Sequence, residues 1–535
     1  MTIQNIIKFI NTTDYFIIFI LIIITYIFNF YYKHFTRLNP IPCPLPLPFI
    51  GNLHNLGYDV AIFYKQCQQK YGDISEAILD RRYIILSRPE YIEKFFDRRI
   101  FFMRPYSQGA DEIGMYGHGT FFNNNYESWK HNNKFFTDTF ISQRFIDNAI
   151  KSTNELYKEL SNYWQSLGNQ NSSNNSSNYS NDNWTLETDF SQWFNRFTND
   201  IVSIISTGER TYSIASYYNT QSLIKSEYSG ALVEDGDKFV KSIVKYLEGL
   251  VVFAFFNPFI RHYIPIIKNK SNIYLKNRDY LFEKLDKMII KRRKEIEKIS
   301  ANTEMRIDML SSLITANTNE NDSNGEVLKS MPDEEIRGML LEAFLGGTAT
   351  VSCKFILLHN LLYLMLSEID HVLPKSIDKS CVSYNDLQEL RYCEAIIKEA
   401  CRLVPAVPFT YRTITKEHEI AGYKWPPGTN FLLNFLAVQV HPEFWPNPEV
   451  FNPDRFYNDD QNDKRLGDKS AFMMFGGGKR ICPGRMLAMV ELLLLMVLVY
   501  ENYNVELVNK NEPLKISSQL NTHCKELRVR ISPRT

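Results

Sequence analysis

The stretch Phe475–Gly484, FGGGKRICPG, constrains the fold of this chain more than any other segment. Gly476, Gly477 and Gly478 carry no Cβ, so the backbone there can approach a flat ligand closely. Arg480, two residues before Cys482, offers a planar charge suited to bidentate contact with a carboxylate. After Pro483 and Gly484 comes an apolar run, RMLAMVELLLLMVLVY, that predicts a buried helix. Cys482 is thus expected at or just before a helix N-terminus, where the dipole and free amides favour thiolate over thiol. A phosphate loop is excluded, because Arg480 follows GGGK where Ser or Thr is required. The alternative is a Gly-rich loop with an incidental buried cysteine.

Phe475, Gly478, Arg480, Cys482 and Gly484 fill the five fixed positions of F-x-x-G-x-R-x-C-x-G. The segment resembles the signature loop of the cytochrome P-450 family. The resemblance implies a bound haem b with Cys482 as axial ligand of its iron and Arg480 at a haem propionate. KEACR puts Glu399 and Arg402 three apart, on one helix face. In the family this pair joins a later arginine, matched here by Arg455 in FNPDRF, and the triad has a structural role. A second E-x-x-R, Glu334 to Arg337, is expected to be an ordinary solvated pair. LVPAVPFTYR after Arg402 is similar to the family's proline-punctuated strand, which makes Arg412 a second propionate contact; a surface strand residue is the alternative.

SMPDEE starts a helix well, with Ser330 as cap and Pro332 in the first turn. Apolar residues continue to about Leu366, and Gly346 and Gly347 in mid-helix each cost ~1 kcal/mol relative to alanine. The segment FLGGTATVS is similar to the family's distal helix, with Gly347 at its glycine and Thr350 at its first threonine. Thr350 would donate a hydrogen bond to bound oxygen and help deliver protons; a close helix crossing is the alternative. Two departures stand out. Ala349 replaces the acid before the threonine and cannot relay a proton, and Val351 replaces the second threonine. In YESWKHNNK, Trp129 matches a tryptophan beside a propionate, but the basic residue expected four positions on is Asn133, leaving neighbouring Lys134 as a substitute.

The 535 residues hold 60 basic and 60 acidic side chains, a balance that gives no footprint for nucleic acid. Eight cysteines form no zinc spacing and fit a reducing compartment. Residues 15–32, YFIIFILIIITYIFNFYY, carry no charge and approach the ~30 Å hydrocarbon core as a helix with aromatic ends. No small-residue cleavage site follows, which favours an anchor over a cleaved signal. Lys33 and Arg37 place the body in the cytosol and residues 1–14 in the lumen. Residues 39–52 form a Pro-rich segment similar to the family's hinge, and residues 53–535 one catalytic domain. Asn/Ser-rich stretches at 168–183 and 317–326 are expected to be loops. The fold class expected is mainly α with small β-sheets and an N-terminal transmembrane helix.

The resemblance implies a single-pass membrane monooxygenase, in the endoplasmic reticulum, that takes electrons from an NADPH–cytochrome P-450 reductase, with cytochrome b5 a further candidate donor. Lys130, Lys134, Lys479 and Arg485 are candidates for the docking surface. By the same resemblance, Tyr106–Phe122, Val251–Pro258, Phe344–Thr348 and Val404–Thr410 line a pocket for a lipophilic substrate. Two other readings stay open: a reductase-independent isomerase or dehydratase of lipid peroxides, suggested by Ala349, and a non-catalytic haem or lipid binder.

Overall fold

The computed structural model describes residues 12–57, 59–96, 99–173, 184–298, 306–315, 331–357, 362–373, 382–457, 467–509, 512 and 514–534. Helix α1 (Thr12–Phe35) contains the apolar run 15–32 and is long and apolar enough to cross a membrane. None of its apolar window is covered by the rest of the chain. At ~1.5 Å per residue it spans about 36 Å.

The body begins with α2 (Val60–Tyr71), capped by the Asp59 carboxylate, which accepts from Ile62 N at 3.2 Å. Strands β1 (Ile74–Ile78) and β2 (Arg82–Leu86) follow. Helix α3 (Tyr126–Ile141) starts where Asn125 accepts from the amides of Glu127 and Ser128. Next come α4 (Gln143–Ser173), β3 (Leu186–Asp189) and α5 (Phe190–Thr207), the last closed by Gly208 at a left-handed φ of 67°. Helices α6 (Gly236–Phe255), α7 (Pro265–Glu297), α8 (Asp333–Leu357) and α9 (Arg391–Leu403) lead to β4 (Thr410–Thr413) and β5 (Asn430–Leu433). The chain ends with α10 (Arg485–Asn502), β6 (Tyr503–Leu507) and β7 (Arg528–Pro533).

One sheet has the order β1-β2-β5-β4, with β2 and β5 parallel and its other pairs antiparallel. A second has the order β3-β7-β6. The fold is thus mainly helical with small sheets, as expected. Helix α10 is apolar on every side and correspondingly buried, packing on α4, α8 and α9. Its position sets the site, because the Cys482 loop feeds directly into it.

Several local expectations change. Residues 168–173 continue α4, and a Cβ on Gly168 would come 2.3 Å from the Trp184 ring, so this end of the Asn/Ser-rich stretch is packed helix. Residues 174–183, 317–326 and 1–11 lie outside the described residues, as does Ser330. Arg337 does not pair with Glu334 as a solvated couple. It bonds Asp286 of α7 at 2.9 Å and lies over the Phe282 ring, tying α7 to α8.

Candidate active site

The Cys482 loop is shaped by a neighbour. A Cβ on Gly478, whose φ is +62°, would lie 1.8 Å from the Phe96 carbonyl oxygen, and one on Gly477 would lie 2.4 Å from the Phe96 ring. Two of the three glycines are therefore required by the close approach of Phe96, which sequence reasoning had assigned to a ligand. The Phe96 carbonyl accepts from Lys479 N at 3.2 Å, and Cys482 N donates to the Phe475 carbonyl at 3.0 Å, closing the loop.

Helix α10 starts at Arg485, three residues after Cys482, with Gly484 as N-cap. Burial pushes the Cys482 thiol up, while the Gly484 N–H and the Arg485 charge pull it down without reversing that. Desolvation thus opposes the thiolate form that the helix terminus favours. Arg485, half-buried, donates to the Cys482 carbonyl at 3.4 Å.

Beside this loop lies a cluster of three arginines. Arg480 donates to the carbonyls of Thr120 and, at 2.7 Å, Asn123, with its guanidinium 3.9 Å from the Phe102 ring centroid and 5.1 Å from that of Trp129. Arg412 on β4 is buried and bonds the Tyr411 carbonyl at 2.8 Å and Thr410 Oγ1 at 3.3 Å. Arg104 is also buried; it reaches the same Thr410 hydroxyl at 2.9 Å and covers the Phe121 ring at 4.0 Å. Burial pushes Arg412, Arg480 and Arg104 below the ordinary arginine value, and for Arg412 and Arg480 the neighbouring guanidiniums add to it. Among the described residues no ion pair reaches any of the three, and the Nε atom of each is buried without a hydrogen-bond partner. Glu342 of α8 offsets Arg104 and Arg480 at longer range, but its carboxylate is occupied by Thr120 N at 2.7 Å, Thr120 Oγ1 at 2.7 Å and Phe121 N at 2.6 Å.

The structure thus brings Trp129, Arg412 and Arg480 together, and adds Arg104, which sequence reasoning missed. Its only local cue was a cation inside an aromatic stretch, FFMRPY. Asn133 contributes no charge. Lys134 is exposed on a groove with Phe135, Asp138, Thr139 and Asp308, on the side of α3 away from buried Trp129, so it does not substitute for the missing base. Lys479 is exposed and bonds Tyr126 Oη at 3.0 Å, and Lys130 is exposed.

The E-x-x-R pair sits behind the loop. Glu399 receives Arg402 Nε at 2.7 Å and Nη2 at 2.8 Å, Asn452 N at 2.9 Å, and lies 3.4 Å from Arg455 Nε. Gln439 extends this network: it donates to the Cys401 carbonyl at 3.1 Å and accepts from Met473 N at 2.8 Å, just before Phe475. Gln439 too was invisible in the sequence.

Helix α8 presents Gly346 and Thr350 to open space and turns Ala349 and Val351 inward. The Thr350 hydroxyl donates to the Gly346 carbonyl one turn back. Gly347 is explained by packing, since a Cβ there would meet Val202 Cγ2 of α5 at 2.4 Å. The α5 side chains hold this turn: Thr198 Oγ1 donates to the Thr348 carbonyl at 2.8 Å, and Ser352 Oγ to Asn195 Oδ1 at 2.6 Å. Of the expected pocket segments, Tyr106–Phe122 meets Val251–Pro258 where Gly109 abuts the Phe253 carbonyl, and Thr410 meets Arg104.

These residues fit a haem. Three guanidiniums without an ion-pair partner, two of them buried and one half-buried, suit a di-anionic ligand edge, and the half-buried Cys482 stands on the loop beside them. Comparison with known proteins agrees. A sequence model described as Cytochrome P-450 matches residues 41–531. Cytochrome P-450 3A18 of Rattus norvegicus is 25% identical over 92% of this chain and 92% of its own length. Flavonoid 3'-monooxygenase of Petunia hybrida is 33% identical over 38% of this chain and 41% of its own. The solved haem domain of cytochrome P-450DA superposes with a TM-score of 0.70 at 21% identity, covering 92% of this chain and 97% of that one, which speaks to the fold. The chain belongs to the cytochrome P-450 family and is a monooxygenase of that family.

Proposed function

We propose that this protein inserts one atom of O2 into a lipophilic substrate, on a haem b ligated by Cys482. Two electrons arrive singly from an NADPH–cytochrome P-450 reductase, with cytochrome b5 a further donor, and the second oxygen atom leaves as water with two protons. The observation that carries this reading is the arginine cluster beside the Cys482 loop: Arg104 and Arg412 buried and Arg480 half-buried, none of them in an ion pair with a carboxylate. The haem, when bound, supplies the oxygen-activating chemistry.

The chain's own residues have separate tasks in this reading. Arg104, Arg412 and Arg480 hold the propionates, with Trp129 packed under Arg480. Cys482 gives up its proton on ligation, helped by the Gly484 amide and Arg485. Phe475, Gly478 and Gly484 shape the loop that presents the sulfur. Glu399, Arg402 and Arg455 brace it from behind. Thr350 is the hydroxyl on the oxygen side, where Ala349 offers no acid. Proton delivery therefore runs through Thr350 and water. The protein is held in the endoplasmic reticulum membrane by α1 with its body in the cytosol, and Lys130 and Lys479 are the exposed basic residues available to a reductase.

The test is the reduced carbon monoxide difference spectrum of the protein beside Cys482→Ala. A red-shifted thiolate band that the variant loses is expected; its absence from the parent would overturn the assignment. Turnover with NADPH and reductase, and haem spectral shifts with apolar compounds, are expected next. Shifts with polar compounds alone would remove the lipophilic pocket. Ala349 also suits rearrangement of lipid peroxides, which would show as peroxide turnover that needs no NADPH.

A further inference from the structure

Glu342, Gly346 and Thr350 follow one another at four-residue spacing along one face of α8. Gly346 borders open space, and Glu342 stands one turn before it. The Glu342 carboxylate does not sit on a cation. It accepts from Thr120 N and Thr120 Oγ1, each at 2.7 Å, and from Phe121 N at 2.6 Å. Glu335, two turns earlier, accepts from Gly119 N at 3.1 Å. Three consecutive amides thus donate to carboxylates of α8.

The carbonyls of the same segment turn the other way. Arg480 donates to that of Thr120, to that of Phe121 at 3.4 Å and to that of Asn123 at 2.7 Å. The Gly119 carbonyl accepts from Asn132 Nδ2 at 2.9 Å. The segment lies close on α8. A Cβ on Gly119, whose φ is +68°, would come 2.7 Å from the Glu342 carboxylate, and one on Gly338 would come 2.9 Å from His118 Cβ. Residues 119–123 therefore form a bridge of peptide dipoles, with N–H ends on carboxylates and C=O ends on a guanidinium. Both ends are charge-assisted hydrogen bonds, and such a series polarises along its length.

We propose that Glu342 is a positioning residue for the haem. Through the 119–123 bridge it fixes Arg480 for the propionates, and its charge balances the guanidinium that the two propionates of a haem b leave over. The field of the Glu342 carboxylate reaches both Arg104 and Arg480. With the propionates in place, the three cations of Arg104, Arg412 and Arg480 meet three anions. A negative charge beside the propionate arginines also favours the ferric over the ferrous state, so Glu342 holds the reduction potential down. This rests on the reading of Cys482 and the arginine cluster as a haem site.

The experiment compares the haem-loaded full chain with Glu342→Gln and Glu342→Asp. It reads the reduced carbon monoxide spectrum, the haem reduction potential and the rate of haem transfer to a haem-free globin. Glu342→Gln removes the charge, while Glu342→Asp keeps it but stops a methylene short of the bridge amides. Glu342→Gln is expected to raise the potential and to speed haem transfer about tenfold, the order expected for losing one charge-assisted hydrogen bond. Glu342→Asp is expected to speed transfer by a similar factor with a potential closer to the parent's. A Glu342→Gln protein that keeps the thiolate band with either a parental potential or a parental transfer rate overturns the proposal and leaves the haem site intact. If Glu342→Gln does not fold, a parental transfer rate in Glu342→Asp overturns it. A parent without the thiolate band overturns the haem site itself, and the proposal with it.

Discussion

Two arginine clusters, one buried and one largely so, flank the Cys482 loop, and what separates them is a carboxylate. Arg402 and Arg455 share the Glu399 carboxylate, with direct contacts at 2.7 to 3.4 Å. Arg104, Arg412 and Arg480 meet aromatic rings, carbonyls and the Thr410 hydroxyl, and no carboxylate within ion-pair distance. A guanidinium does not shed its proton to escape such a site, so the second cluster holds an electrostatic cost that an anion would relieve. Paired charge braces the fold and unpaired charge is left available to an anion; the same residue type stands in both situations within one loop's reach.

That contrast makes opposite predictions for the two clusters. Glu399→Gln strands two buried cations and is expected to lower stability by about 3–5 kcal/mol, with or without haem, read as a shift in the denaturant midpoint. Arg412→Leu is expected to raise the stability of the haem-free protein by about 1–4 kcal/mol while weakening haem retention, read by transfer of haem to an acceptor protein. A loss of stability in the haem-free form would break the distinction between the clusters.

Gly478→Ala sharpens the same point from the backbone side. With φ at +62° and the Phe96 carbonyl in the way, a methyl group forces the loop open. The thiolate carbon monoxide band should fall while bulk helicity, measured by circular dichroism, persists. Gly476→Ala has open space around its Cβ and only its φ of +70° against it, so it should cost less, ~1–2 kcal/mol.

A pH dependence separates a further buried group from both clusters: Glu491 on α10, a carboxyl with no charged partner. Burial alone pushes its carboxyl up from the ordinary 4.5 to about 8. Between those values the folded chain holds a proton that the unfolded chain has lost, so stability falls as pH rises through this window and levels off above about 8. The slope is at most ~1.4 kcal/mol per pH unit. Glu491→Gln should flatten it, seen as a smaller drop in denaturant midpoint between pH 5 and 8 than in the parent; an unchanged slope would mean that Glu491 is paired in solution.

The sequence was legible where chemistry is local. The Cys482 loop, the three-residue spacing of Glu399 and Arg402, the mid-helix Gly347 and Thr350, and the charge-free run of α1 each lie within a few residues of chain, where local pattern and the family resemblance expose them. Arg104, Gln439, Phe96 and Thr120 were not, because nothing in their immediate neighbours tells which distant backbone they meet. The same limit produced the errors. Arg337 was given a partner one turn away and found one on another helix, and Lys134 was assigned a role that its face of α3 denies.

By itself the sequence determined that a cysteine stands on a glycine loop before a buried helix, that a charge-free run precedes the body, and which family the whole resembles. Only the tertiary structure decided which arginines meet a carboxylate and which are left without one, and how strongly burial opposes a charge on the cysteine. Those outcomes depend on burial and on partners far apart in the chain. Desolvation and Coulomb energy are properties of the surroundings in space, not of the order of residues.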